Sequence, residues 1–326
     1  MTHKTGQVRI GISGWRYPPW RGVFYPLKWP QRRELEFASH MLPTIEINGS
    51  FYALQRPSSY ESWYAQTPND FVFSVKATRY ITHLLRLKEV RTPLANFFAS
   101  GVLALREKLG PFLWQFPPSM TFDAERFEAF FNLLPHDTDA ALALAETHDA
   151  HMQERSWLMG GTQRAIRHAV EIRHHSFAVP AFVEMLRRHR IALVVADTAG
   201  RWPLLEDLTA DFVYMRLHGD EELYASGYTD AALKAWSSRI DCWRHGLQVD
   251  DARLASDQAS KHLSHRDVFC YFDNDVKVHA PYDAMRLADQ LGLPTGMTSN
   301  RRFRPPGLSE KSQAAQLAFE DQEPGR

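Results

Sequence analysis

Cysteine is nearly absent from this 326-residue chain, with Cys242 and Cys270 the only two. They are too few for a disulfide framework and lack the C-x-x-C spacing of a cysteine-rich zinc module, so the reducing cytoplasm is the expected location. Net charge is missing as well, because 38 Lys+Arg balance 38 Asp+Glu. A nucleic-acid coat or a polybasic membrane binder therefore finds no support in the global field, and any anion site must be local. No apolar run approaches the ~20 residues of a membrane helix, and the start lacks the apolar core of a secretory leader, so no membrane partner is expected.

Familiar catalytic signatures are also lacking. Gly11-Ile12-Ser13-Gly14 has neither the third glycine of a dinucleotide fingerprint, nor the Lys-Ser/Thr of a P-loop, nor the Gly-x-Ser-x-Gly of a nucleophile elbow. It reads as a tight strand-to-loop turn. The 15 histidines include no His-x-x-x-His and no His-Glu-x-x-His. The metal reading is thus the weaker one, with His218, Glu171, Asp197 and Glu46 as its conceivable ligands, and no motif points to a cofactor or an oligomeric state.

What is present is a composition of 44% hydrophobic and 23% charged residues, enough for a full core. β-rich runs recur at Val8 to Ser13, Thr44 to Asn48, Phe71 to Lys76, Phe112 to Phe116, Ala169 to Arg173, Ala192 to Asp197, Phe212 to His218 and Val268 to Asp273. Between them lie helical stripes: Leu94 to Leu105, Phe127 to Leu134, Val179 to Leu186, Leu233 to Trp243, and Ala284 to Leu291 after Pro281. Strands each followed by a helix predict a single (β/α)8 TIM barrel in a domain of residues 1–296. The β4–β5 connection over 136–164 is long and is a place where a further strand could hide. Residues 297–326, with Arg301, Arg302 and Arg304, read as a polar, disordered tail.

Strand side chains alternate between faces, so parity sorts the polar residues. Glu46 and Asn48 oppose Ile45 and Ile47; Glu171 and Arg173 oppose Val170 and Ile172; Tyr214, Arg216 and His218 oppose Val213, Met215 and Leu217. Lys76, Gln115 and Asp197 likewise end their strands. Parity lets all of these face the barrel axis at the C-terminal mouth, where this fold places its chemistry. The charged ring balances by count, with Glu46, Glu171 and Asp197 against Lys76, Arg173 and Arg216, so structural salt bridges are the competing reading. A Schiff base on Lys76 is set aside, because neighbouring acids would keep the amine charged.

The ordered blocks Gly11-Ile-Ser-Gly-Trp15, Glu46-Ile-Asn-Gly-Ser-Phe-Tyr52, Phe73-Ser-Val-Lys76, Trp114-Gln-Phe-Pro-Pro118, Val170-Glu-Ile-Arg-His-His-Ser-Phe177, Ala196-Asp197, Tyr214-Met-Arg-Leu-His-Gly219 and Tyr271-Phe-Asp-Asn-Asp275 resemble those of the YecE-like family, also called domain of unknown function 72. The resemblance covers roughly residues 8 to 292 and implies a TIM barrel. It places the family's polar positions on Glu46, Asn48, Lys76, Gln115, Glu171, Arg173, Asp197, Arg216, His218 and Asn274. Two departures stand out: the 136–164 segment looks like an insertion, and Asp283 stands where such families often show Asn. A distant similarity to endonuclease IV-type enzymes is fold-level analogy, and the histidine ligands of those enzymes are missing here.

The expected function is an enzyme acting on a small anionic substrate, bearing phosphate or carboxylate. Arg173, Arg216 and Lys76 would clamp the anion, and Glu46 or Glu171 would act as general base with His218 as general acid. Asp197 would complete the catalytic set. Trp15, Tyr52 and Tyr271 would stack on a ring of the substrate, with Asn48, Gln115 and Asn274 as further contacts. The rival expectation is a nucleic-acid or nucleotide binder, including a nuclease.

Overall fold

The computed structural model describes residues 5–296 apart from 222, 225 and 275–277. The C-terminal tail expected over 297–326, with its arginines, lies outside the described residues. Among the described residues, eight parallel strands close into a barrel in chain order. They are β1 (Val8–Ser13), β2 (Thr44–Ile47), β3 (Val72–Lys76), β4 (Leu109–Gln115), β5 (His168–Glu171), β6 (Ala192–Asp197), β7 (Phe212–Leu217) and β8 (Asp267–Phe272), and β8 pairs back onto β1. This is a single (β/α)8 TIM barrel.

Helices pack outside it: α1 (Glu34–Met41), the one-turn α2 (Gly49–Tyr52), α3 (Pro57–Gln66), α4 (Arg91–Ala99), α5 (Ala124–Phe131), α6 (Thr138–Ala145), α7 (Pro180–His189), α8 (Asp230–Arg244) and α9 (His279–Gln290). Their starts follow local chemistry. Asp123, Asp137 and Thr229 accept hydrogen bonds from Arg126, Ala140 and Ala232 N–H at the heads of α5, α6 and α8. Proline opens α3 and α7. No helix among the described residues is long and apolar enough to cross a membrane.

The structure departs from the sequence expectation at three places. The stripe from Leu94 to Leu105 is not one helix: Gly101 takes φ 108°, and a 3-10 run follows over Val102–Lys108. A side chain at Gly101 would meet the Pro57 Cα at 2.6 Å, so the chain turns where only glycine fits. The long 136–164 segment adds no strand to the barrel. Its apolar run lies in α6, which packs on α4, and only an isolated bridge joins Asp137 to Ala165. Finally, β6 is followed by extended coil rather than a helix over 198–211. There the Glu206 and Asp207 carboxylates accept the N–H groups of Arg253, Ala255 and Ser256, so a strap from the β7–β8 connection covers this wall.

The core has two layers. Ile10, Ile12, Ile45, Ile47, Phe73, Val75, Val213 and Met215 face outward beneath the helices. Inside the barrel, Ala169, Ala192, Val194 and Ala196 of β5 and β6 adjoin Phe212, Tyr214, Phe269 and Tyr271 of β7 and β8. Small residues on β5 and β6 thus make room for large ones on the adjoining β7 and β8, which lets long side chains from β7 reach into the barrel.

Gly11 supplies a test of this packing. A Cβ there would lie 1.9 Å from the Thr44 carbonyl oxygen of β2. Gly11→Ala is expected to cost about 1–3 kcal/mol through overpacking, visible as a thermal midpoint lowered by several degrees. An unchanged midpoint would mean that β1 can move off β2 at no cost.

Candidate active site at the barrel mouth

Arg216 lies next to Ala196 and Tyr271 in register, projects inward from β7, and is completely buried. Its Nη1 donates to Glu171 Oε2 at 2.8 Å. Its Nη2 donates to Asp273 Oδ2 at 2.7 Å, Glu46 Oε1 at 3.0 Å and Ser13 Oγ at 3.1 Å. The acids are further engaged: Glu46 accepts from Ser13 Oγ at 2.5 Å and Tyr214 OH at 2.6 Å, and Glu171 Oε1 accepts from Arg173 Nε at 2.8 Å. Asn48 Nδ2 donates to Ser13 Oγ at 2.8 Å, while its Oδ1 is buried with no partner among the described residues. Beneath this level, Tyr271 OH bonds Thr44 and Ser74 and its ring lies against Tyr214, forming a floor.

Electrostatics follow from this arrangement. Burial alone pushes the Glu171 carboxyl up, but Arg173 and Arg216 beside it outweigh that and hold it well below the usual range. For Asp273, burial is likewise overcome by Arg216 and then by His218. His218 is itself fully buried, with Nδ1 3.1 Å from Asp273 Oδ2 and Nε2 3.5 Å from Arg216 Nη1. Burial and the arginine charge lower its pKa despite Asp273, so it is neutral near pH 7.

Lys76 differs from its neighbours. Its Nζ sits 4.3 Å from the Phe51 ring centre, and it makes no hydrogen bond or ion pair with any described residue. Burial and then Arg216 lower its pKa to about 8, against the weaker opposing pull of Glu46, Glu171 and Asp273. As expected from the neighbouring acids the amine is still largely protonated at pH 7, but less firmly than an ordinary lysine, because those acids are directed at Arg216. Arg173, with its guanidinium carbon 3.9 Å above the Trp202 ring and Nη2 3.4 Å from Tyr224 OH, keeps Nη1 without a partner among the described residues. His83 completes this wall, edge-on to Phe51, and burial followed by the charges of Lys76 and Arg173 lowers its pKa to about 4.

The structure brings together Glu46, Asn48, Lys76, Glu171, Arg173, Arg216 and His218. Gln115 lies at the edge, its amide 3.4 Å from His83 Nε2. Five expected site residues fall elsewhere. In β6 it is Ala192, Val194 and Ala196 that face inward, so Asp197 lies on the outer face and accepts from Tyr228 OH at 3.0 Å. Asn274 has the outward parity of Phe272 and donates to Ser226 O and Asp283 Oδ2. Asp283, the departure noted above, is thus a buried latch that also accepts from Tyr228 N–H and Arg286. Trp15 packs edge-on against Trp63 in the outer layer, and Tyr52 is 71% exposed. Tyr271 belongs to the floor rather than to a stacking platform.

Arg216 is also recast: both terminal nitrogens are filled, so it is the hub of an ion network and not an anion clamp. The metal reading loses its ligand set in the same way. Glu46 and Glu171 turn to Arg216, Asp197 is across the sheet, and no group of three His, Cys, Asp or Glu among the described residues is placed to hold an ion.

Sequence reasoning missed Ser13, Asp273 and His83. The first two were within reach, since Ser13 shares parity with Gly11, and Asp273 with Phe269 and Tyr271. His83 lies in a single π-helical turn, Tyr80–Leu84, where no strand parity applies.

Two stability measurements separate the roles. Arg216→Met removes the one cation shared by three buried carboxylates, of which only Glu171 keeps an arginine partner, and should cost about 3–5 kcal/mol, with a large fall in thermal midpoint; an unchanged midpoint would refute the hub. Lys76→Met should instead raise the midpoint at pH 6–7. The lysine pKa is lower in the folded state, so the folded protein carries the full penalty below about pH 8. The penalty fades as pH rises from there towards the unfolded value, and the advantage of the variant should fade with it. A destabilised variant at pH 6–7 would show that Lys76 is a structural cation.

Similarity to known proteins agrees with this architecture. The family model described as "Protein of unknown function DUF72" matches residues 9–307. A DUF72 family protein from Thermotoga maritima is 24% identical, with a TM-score of 0.67 over 88% of this chain and 99% of that one. One from Enterococcus faecalis is 16% identical, with a TM-score of 0.61 over 90% and 100%. Both likenesses concern the fold. The UPF0759 protein YunF of Bacillus subtilis is 31% identical over 116 residues, which is 34% of this chain and 40% of that protein. With the model match spanning nearly the whole barrel, the chain belongs to the DUF72 family.

Proposed function

We propose that the protein is an enzyme that acts on a small phosphate- or carboxylate-bearing substrate at the C-terminal mouth of the barrel. The observation that carries this reading is the ammonium of Lys76, which has no partner among the described residues and shares the mouth, and the neighbour His83, with Arg173, while the acids of the network are already paired. A half-buried cation without a counter-ion carries a solvation cost, and an anionic ligand would supply the missing charge. Arg173 offers Nη1 to the anion. Asn48 Oδ1 is a free acceptor for a substrate hydroxyl.

Acid–base roles shift accordingly. Glu171 and Asp273 are held too firmly ionised to be effective bases near pH 7, whereas Lys76, with a pKa of about 8, is matched to proton transfer there. His218, neutral and next to Asp273, is the second group able to exchange a proton. A nucleic-acid track has less support, because the cation lacking a partner lies within the barrel mouth and not along an extended face.

Titration calorimetry with inorganic phosphate, sulfate and a short oligonucleotide tests the proposal. Phosphate or sulfate should bind and raise the thermal midpoint, and Arg173→Met should weaken binding at least about tenfold, the size of one charge-assisted contact. Failure of both anions to bind at millimolar concentration would refute the reading. Tight oligonucleotide binding with a steep salt dependence would favour the nucleic-acid alternative.

A further inference from the structure

The placement of Lys76 points to covalent chemistry at the same mouth. We infer that Lys76 Nζ attacks the carbonyl carbon of an anionic aldehyde or keto acid and holds the substrate as a Schiff base. This rests on the anion-site reading above and adds to it the class of substrate.

Two lysines near the barrel wall make the contrast. Lys108 is buried, but its Nζ donates to Tyr64 O at 2.6 Å and Thr67 O at 2.7 Å, so its lone pair would become available only after those bonds broke. Lys76 has no such bonds to break. It is fixed by the last residue of β3, steadied over Phe51, and only partly buried, so a small carbonyl compound can reach it. The carboxylates that would otherwise bind the ammonium are spent on Arg216. Lowering the pKa from 10.5 to about 8 also raises the neutral, nucleophilic fraction near pH 7 by roughly 300-fold.

The step balances without any added redox partner. The Nζ lone pair forms the C–N bond while the carbonyl π pair moves to oxygen, and one proton passes from nitrogen to that oxygen. A further proton from solvent allows the hydroxyl to leave as water, giving an iminium with one positive charge. Arg173 would hold the anionic end meanwhile.

The test incubates the full chain with glyoxylate or pyridoxal 5′-phosphate, reduces it with sodium borohydride, and locates the added mass by peptide mapping. One adduct is expected, on Lys76, forming at least about tenfold faster than on any other lysine, with a rate that climbs through about pH 8 and is slowed by excess phosphate. Lys76→Met should abolish it while the thermal midpoint at pH 7 is not lowered, and Lys108, still present in that variant, should stay unlabelled. Adducts scattered over other lysines, or a Lys76 rate no faster than theirs, would overturn the inference. If calorimetry still finds phosphate bound in that case, the anion site survives and only the covalent step is lost; absence of both removes both. A Lys76 adduct that phosphate does not slow, and that neutral glycolaldehyde forms equally fast, would overturn the anionic substrate class.

Discussion

Arg216 joins five parts of the barrel at one guanidinium. It belongs to β7 and bonds Ser13 of β1, Glu46 of β2, Glu171 of β5 and Asp273 just past β8. A charge this deeply buried is tolerable only because three carboxylates surround it, and those carboxylates are tolerable only because of it. The network therefore fixes the relative positions of strand ends that lie across the barrel from one another. It also decides what the rest of the mouth can be, because every acid it consumes is one that Lys76 and Arg173 do not have.

Steric arrangement makes the network reachable. Ala169, Ala192, Val194 and Ala196 leave an open quadrant inside the barrel, and Tyr214, Arg216 and Tyr271 of the adjoining strands fill it. Tyr214 then ties the floor to the network through its hydroxyl on Glu46. An enlarged side chain on β5 or β6 would compete with Arg216 for the same space, so apolar packing and ion geometry are coupled.

The barrel was legible in the sequence because its signals are local and periodic. Strand alternation put Ile45, Ile47, Val213 and Met215 on one face and Glu46, Tyr214 and Arg216 on the other, and the structure agrees. Parity failed where it was chosen for function rather than read from the apolar partners. In β6 the small residues Ala192, Val194 and Ala196 are the inward set beside the bulky β7 residues, which turns Asp197 to the outer face. The same rule, carried one residue past β8, selects Asp273 and releases Asn274 to the outside. His83 stands in a single π-helical turn and Tyr224 on a loop, where no strand period exists to read, and the helix-free wall after β6 depends on contacts with residues some fifty positions later.

Charge counting was the subtler limit. Exchanging Asp197 for Asp273 keeps the mouth balanced at three acids and three bases, so the sum read from sequence is unchanged by the error. What the sum hides is its distribution. Arg216 pairs with all three acids, Arg173 shares one of them, and Lys76 has none. A neutral total thus contains one cation left over in a desolvated place, because a guanidinium with several planar donors competes better for carboxylates than an ammonium on a flexible stem. The residue that loses this competition has the lowered pKa and hence the larger neutral fraction, so its chemical poise is a consequence of the network that stabilises the barrel mouth beside it.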